Sequence, residues 1–215
     1  MKQVPFQTRD DHVRAVEIVT QHLDAGGLIA YPTETVYGFG CALAGEPLDT
    51  LALVKGSREG KSFLMLIADT HQAPGLEWTP AAQALARAFW PGPLTLALRV
   101  ISGQYPPQLI SPHGTVAIRV TPHPGLLELL HRYGAPITST SANRSGSAPA
   151  KSAPEVVGLL ADMPAADKFL LLDGGTLKPS LPSTLVDCSE PVPRVIRAGA
   201  IPENQLKRFV DELQS

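Results

Sequence analysis

Cysteine is scarce in this chain of 215 residues, which contains only Cys41 and Cys188. The two residues lie far apart and form no Cys-x-x-Cys pair, so their spacing supports neither a disulfide framework nor a zinc site. We predict that both are small buried hydrophobic residues. Long apolar runs are also missing, and none approaches the roughly 20 residues that a membrane-spanning helix needs. The first residues, MKQVPFQTRDDHV, lack the apolar core of a secretory signal, so we expect a cytoplasmic protein without a membrane partner.

Charge is low as well: charged side chains make up 18% of the chain, and the net charge is −2. That balance argues against a general nucleic-acid binder, although it allows a local basic cleft. Hydrophobic residues make up 44%, which is typical of a globular protein rather than a disordered one. The chain contains no internal repeat or low-complexity linker, and its 21 prolines are scattered through the predicted connections. We therefore predict one compact domain over residues 1–215.

Several familiar motifs are absent or incomplete. The segment GSREGKS resembles a phosphate-binding P-loop, but three residues separate its glycines where that motif has four. The segment GFG lacks the third glycine of a dinucleotide fingerprint, and no Gly-x-Ser-x-Gly elbow is present. The histidines show no metal-ligand spacing and are predicted to lie at the surface or at helix caps: His12, His22, His71, His113, His123 and His131.

Apolar periodicity and capping residues predict an α/β protein whose sheet is not purely parallel. Asp10 or Asp11 is predicted to cap the first helix, with Val13 on its apolar face, and Thr79 and Ser152 are predicted to cap two later helices. The helices after the first are predicted over residues 48–55, 79–90, 123–133, 152–161 and 202–213. The strands are predicted over residues 28–31, 63–68, 94–100, 115–121, 169–172, 183–186 and 194–197.

Short polar side chains and cations follow several of these strands. The segment APITSTSANRSG, residues 135–146, is a short apolar run that ends in Ser, Thr, Asn and Gly. Hydroxyl and amide groups beside free backbone N–H groups suit a ligand rich in phosphate or carboxylate oxygens. The alternative is a simple turn before the next segment. Comparable positions along the chain are Thr33, Thr35, Lys55, Arg58, Lys61, Arg119, Ser139, Ser141, Asn143, Ser183, Thr184 and Arg197.

Arg119 is the most informative cation because it ends an alternating apolar strand, TVAIR. A guanidinium in a sheet needs a carboxylate or phosphate partner to offset its desolvation. That partner is either a substrate anion or, if the strand lies at the sheet edge, a protein acid, and the same alternatives apply to Arg197. Lys55, Arg58 and Lys61 form either a solvated basic loop or, if they converge on one cleft, an anion site for a nucleotide.

Seven segments occur in the order in which they are found in the YrdC family: PTETVYGFG, KGSREGKSF, FWPGPLTL, VAIRV, TSTSANRSG, PSTLVD and VIRAGAI. From about residue 26 to residue 201 the chain therefore resembles that family. The resemblance implies a twisted mixed α/β sheet flanked by helices, with a large open cavity. It also implies a nucleotidyltransferase that joins L-threonine, bicarbonate and ATP into L-threonylcarbamoyladenylate and releases pyrophosphate. The product would serve the threonylcarbamoyl modification of tRNA, with other tRNA-modification proteins acting downstream.

The resemblance also implies roles for individual residues. Those expected to bind threonine are Thr33, Arg119, Ser139 and Ser183. Those expected to bind ATP are Lys55, Arg58, Lys61, Thr115, Ser141, Asn143 and Arg197. Those expected to act in catalysis are Lys55, Arg58 and Arg119, by orientation and charge stabilisation, since no side-chain nucleophile is required. ATP enters as a substrate, and Mg²⁺ is expected to be held mainly by its phosphates and by water, with no metal site made by the protein alone.

The chain departs from the family pattern in two places. Ser57 stands where the pattern has an arginine, so Arg58 is expected to supply the positive charge from the next position. Leu66 stands where some members have a histidine near the threonine. These differences concern the substrate contacts more than the fold.

Two other functions remain open at this stage. The cavity could belong to a non-catalytic module that binds RNA, even weakly, by shape and charge on a basic concave face. The chain could also be a relative that forms a carbamoyl adenylate from carbamoyl phosphate. Such domains lie beside acylphosphatase and zinc-finger segments, which this sequence lacks.

Overall fold

The computed structural model describes residues 1–56, 62–103, 105–210 and 212–214. Within these ranges, no helix is both long enough and apolar enough to span a membrane. The strands are β1 (Lys2–Pro5), β2 (Leu28–Pro32), β3 (Tyr37–Gly40), β4 (Leu64–Leu66), β5 (Leu94–Arg99), β6 (Thr115–Arg119), β7 (Ile137–Ser141), β8 (Phe169–Asp173), β9 (Thr184–Asp187) and β10 (Arg194–Arg197). The α-helices are α1 (Arg9–Asp24), α2 (Gly45–Lys55), α3 (Pro80–Phe89), α4 (Pro124–Tyr133), α5 (Ala153–Ala161) and α6 (Glu203–Leu206).

All ten of these strands form one sheet in the order β1-β8-β2-β3-β7-β4-β6-β5-β9-β10. Four neighbouring pairs are parallel, namely β1–β8, β2–β8, β4–β6 and β5–β9, and the other five are antiparallel. The prediction of a mixed sheet is therefore confirmed. β6 lies inside the sheet, between β4 and β5, which matters for the arginine at its end.

Side chains alternate along each strand and divide the sheet into two faces. On one face Met65, Leu96 and Ile118 are neighbours in β4, β5 and β6, and they belong to the larger core with residues of α2, α3 and α5. On the other face Leu66 and Ile137 belong to a smaller core, which α1 and α4 cover together with residues of β1, β2 and β8. The rest of this second face, towards β9, is the part that carries the candidate site.

Helix starts follow local sequence signals. Thr79 and Ser152 cap α3 and α5 as predicted, because their side-chain oxygens accept hydrogen bonds from the third residue of each helix. The predicted cap of α1 is wrong: Thr8 is the cap, and Asp11 is the third helical residue. Thr8 Oγ1 accepts from Asp11 N, and the Asp11 carboxylate accepts from Thr8 N, which makes a capping box.

The predicted terminal helix over residues 202–213 is also wrong, since α6 spans only Glu203–Leu206. Beyond it the chain returns to the outer edge of β10. Val195 N donates to Gln214 O at 2.8 Å, and Gln214 N donates to Pro193 O at 2.9 Å. A helix continued to residue 213 would give up these bonds and leave the edge of β10 unpaired. β1 and β3 were not predicted from the sequence.

Cys41 and Cys188 are buried and unpaired, as predicted. Burial raises the pKa of Cys41 to about 11 and that of Cys188 to about 12. His123 caps α4, in agreement with the prediction for the histidines. The prediction is wrong for His12, which is buried in α1 against the ring of Phe6 while the neighbouring Val13 is exposed.

Candidate active site

Part of the second sheet face carries small and polar side chains. Ser139, Leu64, Ala117 and Ala97 lie side by side across β7, β4, β6 and β5, so they share this face. Ala117 is only partly buried, and neither alanine extends beyond a methyl group. These four residues form the floor of the surface that we call the polar face.

Residues two positions apart on a strand project from the same face. The site residues that the register and the hydrogen bonds place on the polar face are Ser139, Ser141, Thr115, Arg119, Ser183 and Arg197. The strand framework thus brings the predicted threonine-binding and nucleotide-binding residues of four strands and their ends onto one surface.

One end of the polar face is strongly basic. Arg197 donates to the Ser183 carbonyl at 3.2 and 2.9 Å and to the Ser183 hydroxyl at 3.0 Å. That hydroxyl lies 2.9 Å from the hydroxyl of Thr95. Burial lowers the pKa of Arg119 to about 10, and the charge of Arg197 acts in the same direction. This end therefore carries two guanidinium groups and the Glu34 carboxylate that pairs with Arg119, so one positive charge remains in excess.

Arg119 itself is buried, and its side chain is held by two groups of the protein. Its Nε donates to Gly92 O at 3.1 Å, and its Nη2 contacts Glu34 Oε1 in an ion pair. Of the two partners that the sequence left open, the structure contains a protein acid. The strand is central rather than at an edge, so the acid comes from a loop that folds over the sheet.

Thr33 belongs to the same loop and uses its hydroxyl within it. The oxygen Thr33 Oγ1 donates to Val36 O at 2.7 Å and accepts from Thr35 N and Val36 N at 3.1 Å each. These bonds close a tight turn that presents Glu34 towards the sheet. Thr33 Oγ1 also lies 3.0 Å from Thr35 Oγ1, so the predicted contact between Thr33 and threonine requires a hydroxyl that already has four hydrogen-bond partners.

Lys55 is buried at the end of α2 and holds the turn after β7. Its Nζ donates to Ser141 O and Asn143 O at 2.8 Å each, and to Asn143 Oδ1 at 2.7 Å. Ser141 Oγ also donates to Asn143 Oδ1 at 2.7 Å. Three acceptors of one turn surround this ammonium group. Lys55 thus places the Ser141–Asn143 turn, and its charge lies directly behind it.

Thr115 lies at the far end of β6 from Arg119. Its hydroxyl is 2.7 Å from that of Ser111, and four residues of strand put it about 13 Å from Arg119. The two residues cannot bind the same small group, although one extended ligand could reach both. The sequence predictions for Arg58 and Lys61 lie outside the described residues.

The sequence did not single out Glu34, Thr95 or Ser180. Glu34 stands between Thr33 and Thr35, which the sequence analysis names as candidate site residues. The need of Arg119 for an acid is the sequence signal that could have pointed to it. Ser180 Oγ donates to Thr35 O at 2.9 Å, from the connection between β8 and β9. Six strands separate β8 from β9 in the sheet, so this connection crosses the molecule and fastens the Thr33–Val36 turn.

Comparison with known proteins agrees with this architecture. The sequence model of the Sua5/YciO/YrdC family, described as "Telomere recombination", matches residues 21–199. A threonylcarbamoyl-AMP synthase of Alkalilimnicola ehrlichii is 38% identical over 179 residues, which are 82% of this chain and 91% of that protein. A putative threonylcarbamoyl-AMP synthase of Mycobacterium tuberculosis is 35% identical over 202 residues, 91% of this chain and 90% of that protein.

A solved structure of one relative contains a bound ligand. Sua5 of Pyrococcus abyssi in complex with L-threonine superposes with a TM-score of 0.88 at 30% identity. The match covers all of this chain but 62% of that one, so this chain spans under two thirds of the archaeal protein. YciO of Escherichia coli, at 24% identity and a TM-score of 0.80, shares the fold. On the strength of the family match and these relatives, the chain belongs to the Sua5/YciO/YrdC family.

Proposed function

We propose that this chain is a threonylcarbamoyl-AMP synthase, a nucleotidyltransferase that joins L-threonine, bicarbonate and ATP and releases pyrophosphate. The observation that carries the proposal is the basic end of the polar face, where Arg119 and Arg197 converge beside Ser183. The names of the bacterial relatives and the threonine complex of the archaeal relative support it.

The proposed binding position of threonine is at this basic end. The Arg119 guanidinium suits its carboxylate, because charge-assisted pairs of this kind are among the strongest hydrogen bonds in proteins. Ser183 and Ser139 are the hydroxyl groups on the same face that suit the polar atoms of the substrate. The buried hydroxyl of Tyr31 donates to Thr138 O at 3.3 Å, next to Ser139 in β7.

The proposed binding position of ATP is along the rest of the polar face. The turn Ser141–Asn143, with the charge of Lys55 behind it, favours phosphate oxygens, and Thr115 lies further along the floor. Arg58 and Lys61 are proposed to add positive charge from the segment that follows Lys55. Arg197 would then bind the nucleotide from the side of β10.

The chemistry needs alignment rather than a protein nucleophile. The threonine amine adds to the carbon of bicarbonate, and the resulting carbamate oxygen attacks the α-phosphorus of ATP. Arginine and lysine side chains lower the energy of the charge that develops on the phosphates. Among the described residues, no group of three His, Cys, Asp or Glu side chains could hold a metal ion. Mg²⁺ would accordingly be bound through ATP phosphates and water, and it would screen their charge.

The test is pyrophosphate release from ATP by the purified chain, with threonine and bicarbonate present together or omitted one at a time. We expect release only in the complete mixture. Release without threonine would contradict the proposal. RNA binding that weakens steeply with salt, in a chain that releases no pyrophosphate, would favour the RNA-binding module instead. Cytoplasmic location and downstream tRNA-modification proteins remain predictions from the sequence.

A further inference from the structure

Glu34 is tied to the candidate threonine site through both carboxylate oxygens. Its Oε1 contacts Arg119 Nη2, and its Oε2 accepts from Thr121 Oγ1 at 3.2 Å. The Thr121 side chain is fully buried, and that of Arg119 is 6% exposed, whereas that of Glu34 is 23% exposed. The carboxylate therefore has a fixed position at the basic end of the polar face and still meets solvent.

An ion pair at this place constrains what can bind. A ligand carboxylate that takes Arg119 must share or replace the contact with Glu34. A ligand with only a negative charge would leave Glu34 without a cation in a partly desolvated position, which is costly. An α-amino acid carries its own cation one carbon from its carboxylate. It can exchange one ion pair for two, with Arg119 on its carboxylate and Glu34 on its ammonium group.

The reaction adds a second requirement. Threonine is an ammonium ion near neutral pH, and it has no lone pair with which to attack bicarbonate. A base must first remove one proton. The hydroxyl of Thr33 is engaged in its own turn, and Lys55 is an ammonium that donates to the Ser141–Asn143 turn. Glu34 is the carboxylate that contacts Arg119 in the described part of the chain.

We propose that Glu34 is a catalytic residue that binds the α-ammonium group of threonine and accepts its proton. The Glu34 carboxylate takes one proton from the ammonium, and the freed nitrogen lone pair forms the bond to the carbon of bicarbonate. Water leaves, and the carbamate retains one N–H and one negative charge. The protonated Glu34 then loses its proton to solvent through its exposed edge. This inference rests on the proposed function.

The experiment compares Glu34→Gln and Glu34→Asp with the parent in pyrophosphate release between pH 6 and pH 9. Glutamine keeps the shape and the contact with Arg119 but cannot accept the proton. We expect kcat near pH 7 to fall roughly 100-fold in Glu34→Gln, the usual scale for a general base, and to climb with pH as hydroxide takes over. Aspartate should recover part of the rate. The charged and titratable groups around Glu34 are Arg119 and, beyond it, Arg197 and Tyr31, and all of them are retained in these variants.

Binding gives a readout that does not depend on turnover. Calorimetry would compare L-threonine with 3-hydroxybutanoate, which is threonine without its amine. The parent should prefer threonine, and Glu34→Gln should reduce that preference at least tenfold. The matched control is Glu77→Gln, an exposed glutamate paired with Arg99 at 3.4 Å, which should behave as the parent.

The outcomes separate the two proposals. A parent protein that releases no pyrophosphate in the complete mixture would refute the proposed synthase. An active parent with a folded Glu34→Gln variant that keeps the parental rate, pH profile and ligand preference would refute the role of Glu34 alone. If Glu34→Gln fails to fold, a folded Glu34→Ala variant decides, since it has no carboxylate and a parental rate, pH profile and ligand preference there would also overturn the role.

Discussion

Replacing Lys55 by methionine should lower the stability of the protein, because Lys55 holds the Ser141–Asn143 turn through three hydrogen bonds. The substitution leaves the Asn143 carbonyl oxygen without this donor, whereas Ser141 O still accepts from Asn143 N at 3.0 Å and Asn143 Oδ1 still accepts from Ser141 Oγ. A buried acceptor without a partner costs roughly 1–3 kcal/mol. In a protein of this size that corresponds to a fall in Tm of about 2–12 °C.

The measurement is thermal unfolding followed by circular dichroism, together with the ATP dependence of pyrophosphate release. Lys168→Met is the matched control, because Lys168 pairs with Glu46 at 3.1 Å on the exposed surface. Such a pair contributes under about 1 kcal/mol, so the control should stay within about 4 °C of the parent. A Lys55→Met variant as stable as the control would refute the reasoning. If that stable variant also lost ATP binding, Lys55 would act on the nucleotide directly.

Local signals explain what the sequence predicts well. Thr79 and Ser152 cap their helices because a cap needs only a side-chain oxygen and the third residue of the helix. Arg119 was predicted to need an acid or a phosphate because desolvation of a guanidinium follows from its place in an apolar strand. The apolar runs of β2, β5, β6 and β8 likewise predict that these strands are buried.

Non-local contacts explain what the sequence does not predict. The order of the sheet puts β7 between β3 and β4, and apolar patterns do not specify which strand lies beside which. The contact between Glu34 and Arg119 depends on that order and on the Thr33–Val36 turn. For Lys55 the sequence supplies a cation at a helix end, but the acceptors that surround it belong to a turn far along the chain. The sequence therefore predicts that Lys55 binds ATP, and the bonds of Lys55 to the Ser141–Asn143 turn become visible only in the folded structure.

Three further predictions concern the floor, a thiol and a buried histidine. Ala117→Leu should place a larger side chain on the floor of the polar face and reduce pyrophosphate release at least about tenfold at unchanged Tm, whereas parental activity would mean that substrates bind elsewhere. Cys41, whose pKa burial raises to about 11, should resist iodoacetamide at pH 8 until urea unfolds the protein, as mass spectrometry would show. Burial lowers the pKa of His123 to about 4, so the neutral ring stabilises the native state above about pH 6.5, and this contribution declines as the pH falls towards 4. The test measures the free energy of unfolding in urea at pH 7 and pH 5 for the parent and for His123→Asn, which keeps a capping side chain. Between these two pH values the free energy of unfolding should fall by about 2 kcal/mol less in the variant than in the parent. Equal falls would mean that the native fold does not hold this ring neutral.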